Sequence, residues 1–200
     1  NNVAVGYFAL SKETTQCKNV AVGREALKDL STSGDGNNVV VGFQAGKSMS
    51  TGVQNTLVGS VAGDALTTGA YNVALGTSAL STEDTGSRNV AIGWSALEDQ
   101  NFDGDAYNTA VGYAAGKELV SGIDNTIMGG LAGDALTTGS DNVAIGKSAL
   151  SAEDTGGHNV AIGNEALQDL NYNGSGYNTA VGSRAGADIT TGTFNTIVGG

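Results

Sequence analysis

The run Asp99-Gln100-Asn101-Phe102-Asp103-Gly104-Asp105 places oxygen-bearing side chains at alternate positions around a glycine turn. That is the opening of an EF-hand calcium loop, D-x-(D/N)-x-(D/N)-G, whose oxygens converge on a hard cation. Asp99, Asn101, Asp103 and Asp105 are therefore the candidate metal ligands. Asp169-Leu170-Asn171-Tyr172-Asn173-Gly174 repeats the spacing, and Asp29-Leu30-Ser31-Thr32-Ser33-Gly34 is a weakened version of it. The glutamate that closes an EF-hand loop is replaced by Ala110 and Ala180. Asp, Asn, Ser and Gly are also what any protruding turn requires. Calcium is a candidate ion on these residues, and no other cofactor is expected.

Other groups have the right chemistry and the wrong setting. Glu83-Asp84 and Glu153-Asp154 are paired carboxylates. A glycosidase needs two carboxyl groups across a cleft, one with a raised pKa, whereas neighbours in a polar turn are expected to be solvated and alike. His158 is the only histidine and its counterpart in the preceding repeat is Arg88, so neither a triad nor a metal site is expected. Cys17 corresponds to Ser87 and Gly157, so it reads as incidental. The chain is not expected to be an enzyme. Aromatic side chains are the better contact candidates, because flat amphipathic rings stack on sugars and on protein ligands. Tyr7, Phe43, Trp94 and Tyr113 each follow a glycine of the repeat, and Tyr71, Tyr107, Tyr177 and Phe194 each precede its asparagine. The alternative use of these rings is to cover the edges of adjacent coils.

Composition narrows the setting of these residues. The chain has 200 residues, 32 glycines, no proline, a single cysteine and a formal net charge of −11. Collagen is excluded by the missing prolines, and a disulfide framework by the single thiol. Nine scattered basic residues give no footprint for nucleic acid. No stretch is long and apolar enough to span a bilayer. With no initiator Met and no secretion signal, the chain reads as an excerpt of a longer one.

All of these residues are carried by one internal repeat. The unit Asn-(Val/Thr)-x-(Val/Ile/Leu/Met)-Gly begins at Asn2, Asn19, Asn38, Asn55, Asn72, Asn89, Asn108, Asn125, Asn142, Asn159, Asn178 and Asn195, at intervals of 17 or 19 residues. Alanine stands three residues after each glycine, from Ala9 to Ala185. The intervals 17, 17, 17 and 19 sum to a block of 70, and residues 72–130 match 142–200 at 36 of 59 positions. The chain is thus one array of four-rung blocks, 2–71, 72–141 and an incomplete 142–200. Apolar runs of three residues ending in glycine do not make helices. They predict an all-β parallel β-solenoid of about twelve rungs, spaced at about 4.8 Å and spanning roughly 55–60 Å. The asparagines are expected to stack as an amide ladder, and the glycines to mark corners.

Alternation along a strand separates its faces. The first and third residues after each Asn, such as Val20/Val22 and Val90/Ile92, read as the core, with the alanine column and Leu10, Leu27, Leu80, Leu97, Leu150 and Leu167. The second residue then faces outward, yet it is apolar in every rung: Ala4, Ala21, Val40, Leu57, Ala74, Ala91, Ala110, Ile127, Ala144, Ala161, Ala180 and Ile197. A strand apolar on both faces needs cover on both. This column therefore predicts a contact stripe between copies of the chain.

The repeated N-V-A-I-G-x-x-A, as at Asn89–Ala96 and Asn159–Ala166, resembles the head repeats of YadA-like trimeric autotransporter adhesins. The longer spelling around Thr191–Gly199 is similar to repeat arrays of bacteriophage tail fibres. The resemblance covers essentially the whole chain, but its coils are longer than those of the adhesin heads. It implies a left-handed roll, a homotrimer, and a structural and host-recognition segment of a phage tail fibre, placed on a virion surface or on an extracellular or bacterial cell surface, that contacts a host cell-surface glycan or protein. The alternatives are an adhesin head that attaches cells and a polysaccharide-degrading tail spike. One alternative fold is the left-handed β-helix of hexapeptide type, which Ile92-Gly93-Trp94-Ser95-Ala96-Leu97 fits once per coil instead of three times.

Overall fold

A computed structural model describes residues 1–200 apart from 14, 16, 32 and 33. Twelve strands of three residues each, from β1 (Val3–Val5) through β6 (Val90–Ile92) and β8 (Thr126–Met128) to β12 (Thr196–Val198), form one parallel sheet in chain order. Each strand pairs position for position with the next, as in Val90↔Thr109, Ala91↔Ala110 and Ile92↔Val111. The chain is an all-β parallel solenoid. The described residues contain a single sheet, where a triangular hexapeptide β-helix would show three.

Coils close through glycine and left-handed corners. The glycine ending each strand has φ between +125° and +148°, as at Gly93 (+137°) and Gly129 (+136°). A Cβ on Gly129 would stand 2.5 Å from the Gly146 carbonyl oxygen of the next coil. The column is therefore held by both torsion and contact. Further left-handed residues turn each coil, for example Arg88 (φ 64°), Ser95 (φ 52°) and Leu97 (φ 49°). This conformation costs an L-residue about 1–2 kcal/mol. Bonds between coils offset that cost: Ser95 N–H donates to Thr77 O (3.0 Å) and Leu97 N–H to Ala115 O (3.1 Å).

The asparagine column is internal. Asn38, Asn55, Asn72, Asn89, Asn108, Asn125, Asn142 and Asn159 are fully buried. Each Oδ1 accepts the backbone N–H of the next rung's asparagine, as from Asn142 to Asn125 (3.0 Å) and from Asn72 to Asn55 (2.9 Å). Each Nδ2 in most rungs donates to a glycine carbonyl fourteen residues on, such as Asn125 to Gly139 (2.9 Å) and Asn72 to Gly86 (2.9 Å). The expected amide-to-amide bond also occurs, as from Asn125 Nδ2 to Asn108 Oδ1 (3.1 Å). The ladder thus ties side chain to backbone as well as to side chain.

Burial reverses the expected assignment of strand faces. Ala21, Val40, Leu57, Ala74, Ala91, Ala110, Ile127, Ala144, Ala161 and Ala180 all point into the coil at 0% exposure; only Ala4 and Ile197, in the terminal strands, are exposed and half-buried. This column is core, not an outer contact stripe. The reason lies in the alternation itself. The residue two positions after an internal asparagine shares its side of the strand, so the ladder carries the second residue inward and turns the first and third outward. The alanine and leucine columns are in the core as expected.

Volume across the core is matched in most rungs. Where the strand centre is small, as at Ala21, Ala74 and Ala91, a leucine follows at Leu27, Leu80 and Leu97. Where it is large, as at Val40, Leu57 and Ile127, the same place is Gly46, Gly63 and Gly133. The exceptions are Ala110 with Gly116 and Ala180 with Gly186, where Ile127 and Ile197 of the next rung lie beside the glycine. A Cβ on Gly63 would meet Leu57 Cδ2 at 3.0 Å and Leu66 Cδ1 at 2.9 Å. The alternation of Leu and Gly is a packing code, because interiors fill to near crystalline density.

Candidate functional surface

The outer surface is built on the strand's outward residues and the columns beside them. Over one coil the pattern reads Arg88 exposed, Asn89 buried, Val90 half-buried, Ala91 buried, Ile92 half-buried and Trp94 exposed. Val3, Val5, Val39, Leu75, Met128, Val181 and Val198 are between 37% and 78% exposed along this face. A stripe of Val, Ile, Leu and Met therefore does run along the sheet, with Thr56, Thr109, Thr126, Thr179 and Thr196 interspersed, on the opposite side from the one the sequence predicts.

Side chains in the columns beside the stripe stack from coil to coil. Trp94 lies on Tyr113 with ring centroids 4.9 Å apart and planes 13° from parallel. The Arg24 guanidinium lies between Tyr7 (5.9 Å) of the preceding coil and Phe43 (5.7 Å) of the next, while Tyr7 also tilts against its sequence neighbour Phe8 within one coil (4.2 Å, 56°). In the column before the asparagines, Arg88 sits between Tyr71 (4.8 Å) and Tyr107 (5.7 Å). His158, Tyr177 and Phe194 form a continuous stack at 4.9 and 5.2 Å. The spacing of one ring per coil is the rung spacing of a parallel sheet. In the Trp94–Tyr113 pair and on Tyr177, a ring face that a sugar would need is taken by a neighbour, while the exposed edges stay available. Sequence reasoning located these residues but missed the columns as units. The signal was there: Arg88 and His158 share a coil position, and each is followed one coil later by a tyrosine.

The side chains of Asp103, Asp105 and Gln100 are bonded to the protein itself. Asp103 accepts a bond from Thr85 Oγ1 (2.5 Å), and Asp105 accepts from Arg88 Nε (2.9 Å) and Tyr107 Oη (3.4 Å). Gln100 turns inward, accepting from Asn108 Nδ2 (2.9 Å) and donating to Val120 O (3.3 Å). Asp99 and Asn101 are held through their backbones, whose N–H groups donate to Lys117 O (3.0 Å) and Val120 O (2.8 Å). Among the described residues no three His, Cys, Asp or Glu side chains are placed to hold a metal ion. In place of the cation expected at Asp99, Asn101, Asp103 and Asp105, the loop is bonded to both neighbouring coils, through Asp103 and Asp105 to the preceding one and through the backbones of Asp99 and Asn101 to the following one. In the weaker relative at 29–34, residues 32 and 33 lie outside the described residues.

The carboxylate pairs are unlike what a polar turn predicts. Glu83 and Glu153 are fully buried. Glu83 accepts the N–H groups of Gly86 (2.6 Å) and Phe102 (3.2 Å), and Glu153 those of Gly156 (2.7 Å) and Tyr172 (3.2 Å). Burial pushes both carboxyl groups above the usual range, against the pull of those bonds. Each glutamate anchors the long loop of the next coil to its own. Cys17 donates to Asp35 Oδ1 (2.9 Å), and that bond holds the thiol above its ordinary value.

These features define a class: a parallel β-solenoid whose polar and aromatic side chains are set out along its surface in repeated columns, with no cavity among the described residues. Compared with protein-family models, with curated proteins and with solved structures, the chain finds no match.

Proposed function

We propose that this chain is a segment of a fibre on a virion or a bacterial cell surface, a homotrimeric roll serving as a rigid spacer and a host-recognition surface. The observation that carries the reading is the outward, mostly apolar face of the sheet, whose side chains from Val3 to Val198 are exposed or half-buried in the single chain. Leaving such a stripe in water costs about 25 cal/mol for each Å², and soluble monomers rarely keep one of that extent. A repeating stripe is best covered by the same stripe on another copy, because equal rung spacing lets every rung find its partner. The threefold closure follows from the resemblance to YadA-like head repeats. The recognition role belongs to the stacked columns beside the stripe. A weak contact to a host glycan or protein, repeated along three chains, gains avidity through effective concentration. A net charge of −11 disfavours nucleic acid as the partner.

Sedimentation of the intact chain is expected to give three times the 19.9 kDa chain mass. The paired substitutions Val90→Asp and Ile92→Asp, at outward positions, are expected to yield monomer with the coil intact. A wild-type chain that stays monomeric at high concentration would remove the reading. Turnover of capsular or lipopolysaccharide glycans, in place of binding alone, would redirect it to a degrading tail spike.

A further inference from the structure

Asparagine is the only carboxamide that recurs in every coil, and in the ladder it is protected twice over. Every ladder asparagine is followed by Val or Thr, and from Asn38 to Asn159 each is fully buried. Asn173 differs on each count. It is exposed in the long loop of the third block, and it is the one asparagine in the chain followed by glycine. The neighbouring Gly174 is also exposed, and among the described residues its N–H donates to no carbonyl or side chain, while its carbonyl accepts from Gly157 (3.0 Å). Thr155 Oγ1, from the preceding coil, donates to Asn173 Oδ1 (2.7 Å).

We propose that Asn173–Gly174 is a site of spontaneous deamidation and that Thr155 promotes it. The backbone nitrogen of Gly174, having lost its proton to hydroxide, attacks Cγ of Asn173. The new C–N bond closes a five-membered succinimide. As the tetrahedral centre collapses the Cγ–Nδ2 bond breaks, and the side-chain nitrogen takes up a proton from water and leaves as ammonia. A water molecule then adds to one of the two imide carbonyls and reopens the ring, giving aspartate or isoaspartate. Electron density moves onto Oδ1 during the attack, and the Thr155 hydroxyl is the donor already aimed at that atom, as donors at a developing oxyanion must be. Glycine at 174 leaves the attacking nitrogen unshielded, whereas the Cβ branches after each ladder asparagine crowd it.

The second block holds the aspartate product at the same place. Asp103–Gly104 occupies the equivalent loop, and Thr85 Oγ1 bonds Asp103 Oδ1 as Thr155 bonds Asn173. The two loops match further. A Cβ on Gly104 or on Gly174 would meet the ring of Phe102 or of Tyr172 at the same 3.4 Å. Conversion to aspartate therefore keeps the loop and adds one negative charge. Conversion to isoaspartate lengthens the backbone beside the Gly157↔Ser175 bridge and strains it.

The test is ageing of the intact chain at mildly alkaline pH, followed by peptide mapping and by enzymatic detection of isoaspartate. Acid is expected to accumulate at 173 while the ladder asparagines keep their amides. Thr155→Val is expected to slow the reaction about fivefold, the factor that one ordinary hydrogen bond supplies, and Thr155→Ser to restore it. In concentrated denaturant the wild type and Thr155→Val should react at the same rate, which separates promotion by the fold from a change in sequence alone. Asn173→Gln should abolish the product. Reaction at 173 no faster than in the ladder overturns the site, and an unchanged folded rate in Thr155→Val overturns the role of the threonine.

Discussion

The corner column and the surface column meet at Gly129 and Gly130, neighbours in sequence that differ in everything the fold asks of them. Gly129 sits at φ +136° with the Gly146 carbonyl where a Cβ would go. Gly130 has no left-handed torsion and nothing within 4 Å of its missing Cβ. The first is glycine because no other residue fits. The second occupies a place where other coils carry Tyr7, Arg24, Phe43, Trp94, Tyr113 and Lys147. One column is fixed by the rise from coil to coil, while the column beside it is free to vary and so can carry recognition. Adjacent residues thus answer to two separate pressures.

Alanine scanning of this pair breaks the comparison most sharply. Gly129→Ala is expected to destabilise the chain by at least about 3 kcal/mol, since the torsion and the clash act together. Gly130→Ala should stay within about 0.5 kcal/mol. Thermal melts followed by circular dichroism would decide it, and equal effects would show that the corner does not limit stability. Leu97→Ala tests the packing code at the next level. It empties the place that Gly116 relies on, where Leu97 Cδ2 and Ile127 Cδ1 would lie 3.1 and 2.9 Å from an added Cβ. A loss of about 2–4 kcal/mol is expected. A large-to-small change on the outer face, such as Val90→Ala, should cost clearly less in a single chain.

Acid offers a smaller contrast between buried and exposed carboxylates. Glu83 and Glu153 have folded pKa values raised above the ordinary 4.5, with burial as the leading cause. The folded state then binds protons more tightly than the unfolded one, so stability rises as pH falls through the raised value and is fully gained below 4.5. Asp64 and Asp134, raised by burial, add in the same sense. Glu25, held low chiefly by Gln44, and Asp35, held low chiefly by Cys17, act oppositely, but only below 4.5 and 3.8 respectively. The thermal midpoint is therefore expected to climb between neutral pH and about pH 5, a window above the ordinary carboxylate range. In Glu83→Gln/Glu153→Gln the climb should shrink. A midpoint that falls throughout this window would contradict the burial of these groups.

The sequence made the coil legible because its period is covalent: intervals of 17 and 19 residues leave little choice but stacked rungs. Corner glycines, core alanines and the leucine column could be read in the same way. The inward side of the strand could not, because both faces are apolar and hydropathy alone has no preference between them. Two other signals pointed the right way: the asparagine, which an amide ladder places inside, and the pairing of Val40, Leu57 and Ile127 with glycines. Both link residues to partners in the fold instead of to water. The loops at Asp99–Asp105 misled for a related reason. Alternating oxygens satisfy a cation and a neighbouring coil equally well, and only placement shows Thr85 and Arg88 already bonded to them.

Gly130 supplies the finest test of the division between columns. Trp94 and Tyr113 stack on successive coils, and the next coil offers only the missing side chain of Gly130 in open space. Gly130→Phe should extend the stack by one ring at the same rung spacing, contributing about 0.5–1 kcal/mol beyond its burial. For a chain of this length that is a rise of a few degrees at most in the melting midpoint. Trp94 is the sole tryptophan, so its emission reports the order of the stack directly. A blue shift with a raised midpoint would mean that the surface column accepts a new ring without disturbing Gly129. A lowered midpoint would mean that the two columns are coupled after all, and that the freedom read at Gly130 belongs to the space around it and not to the backbone beneath.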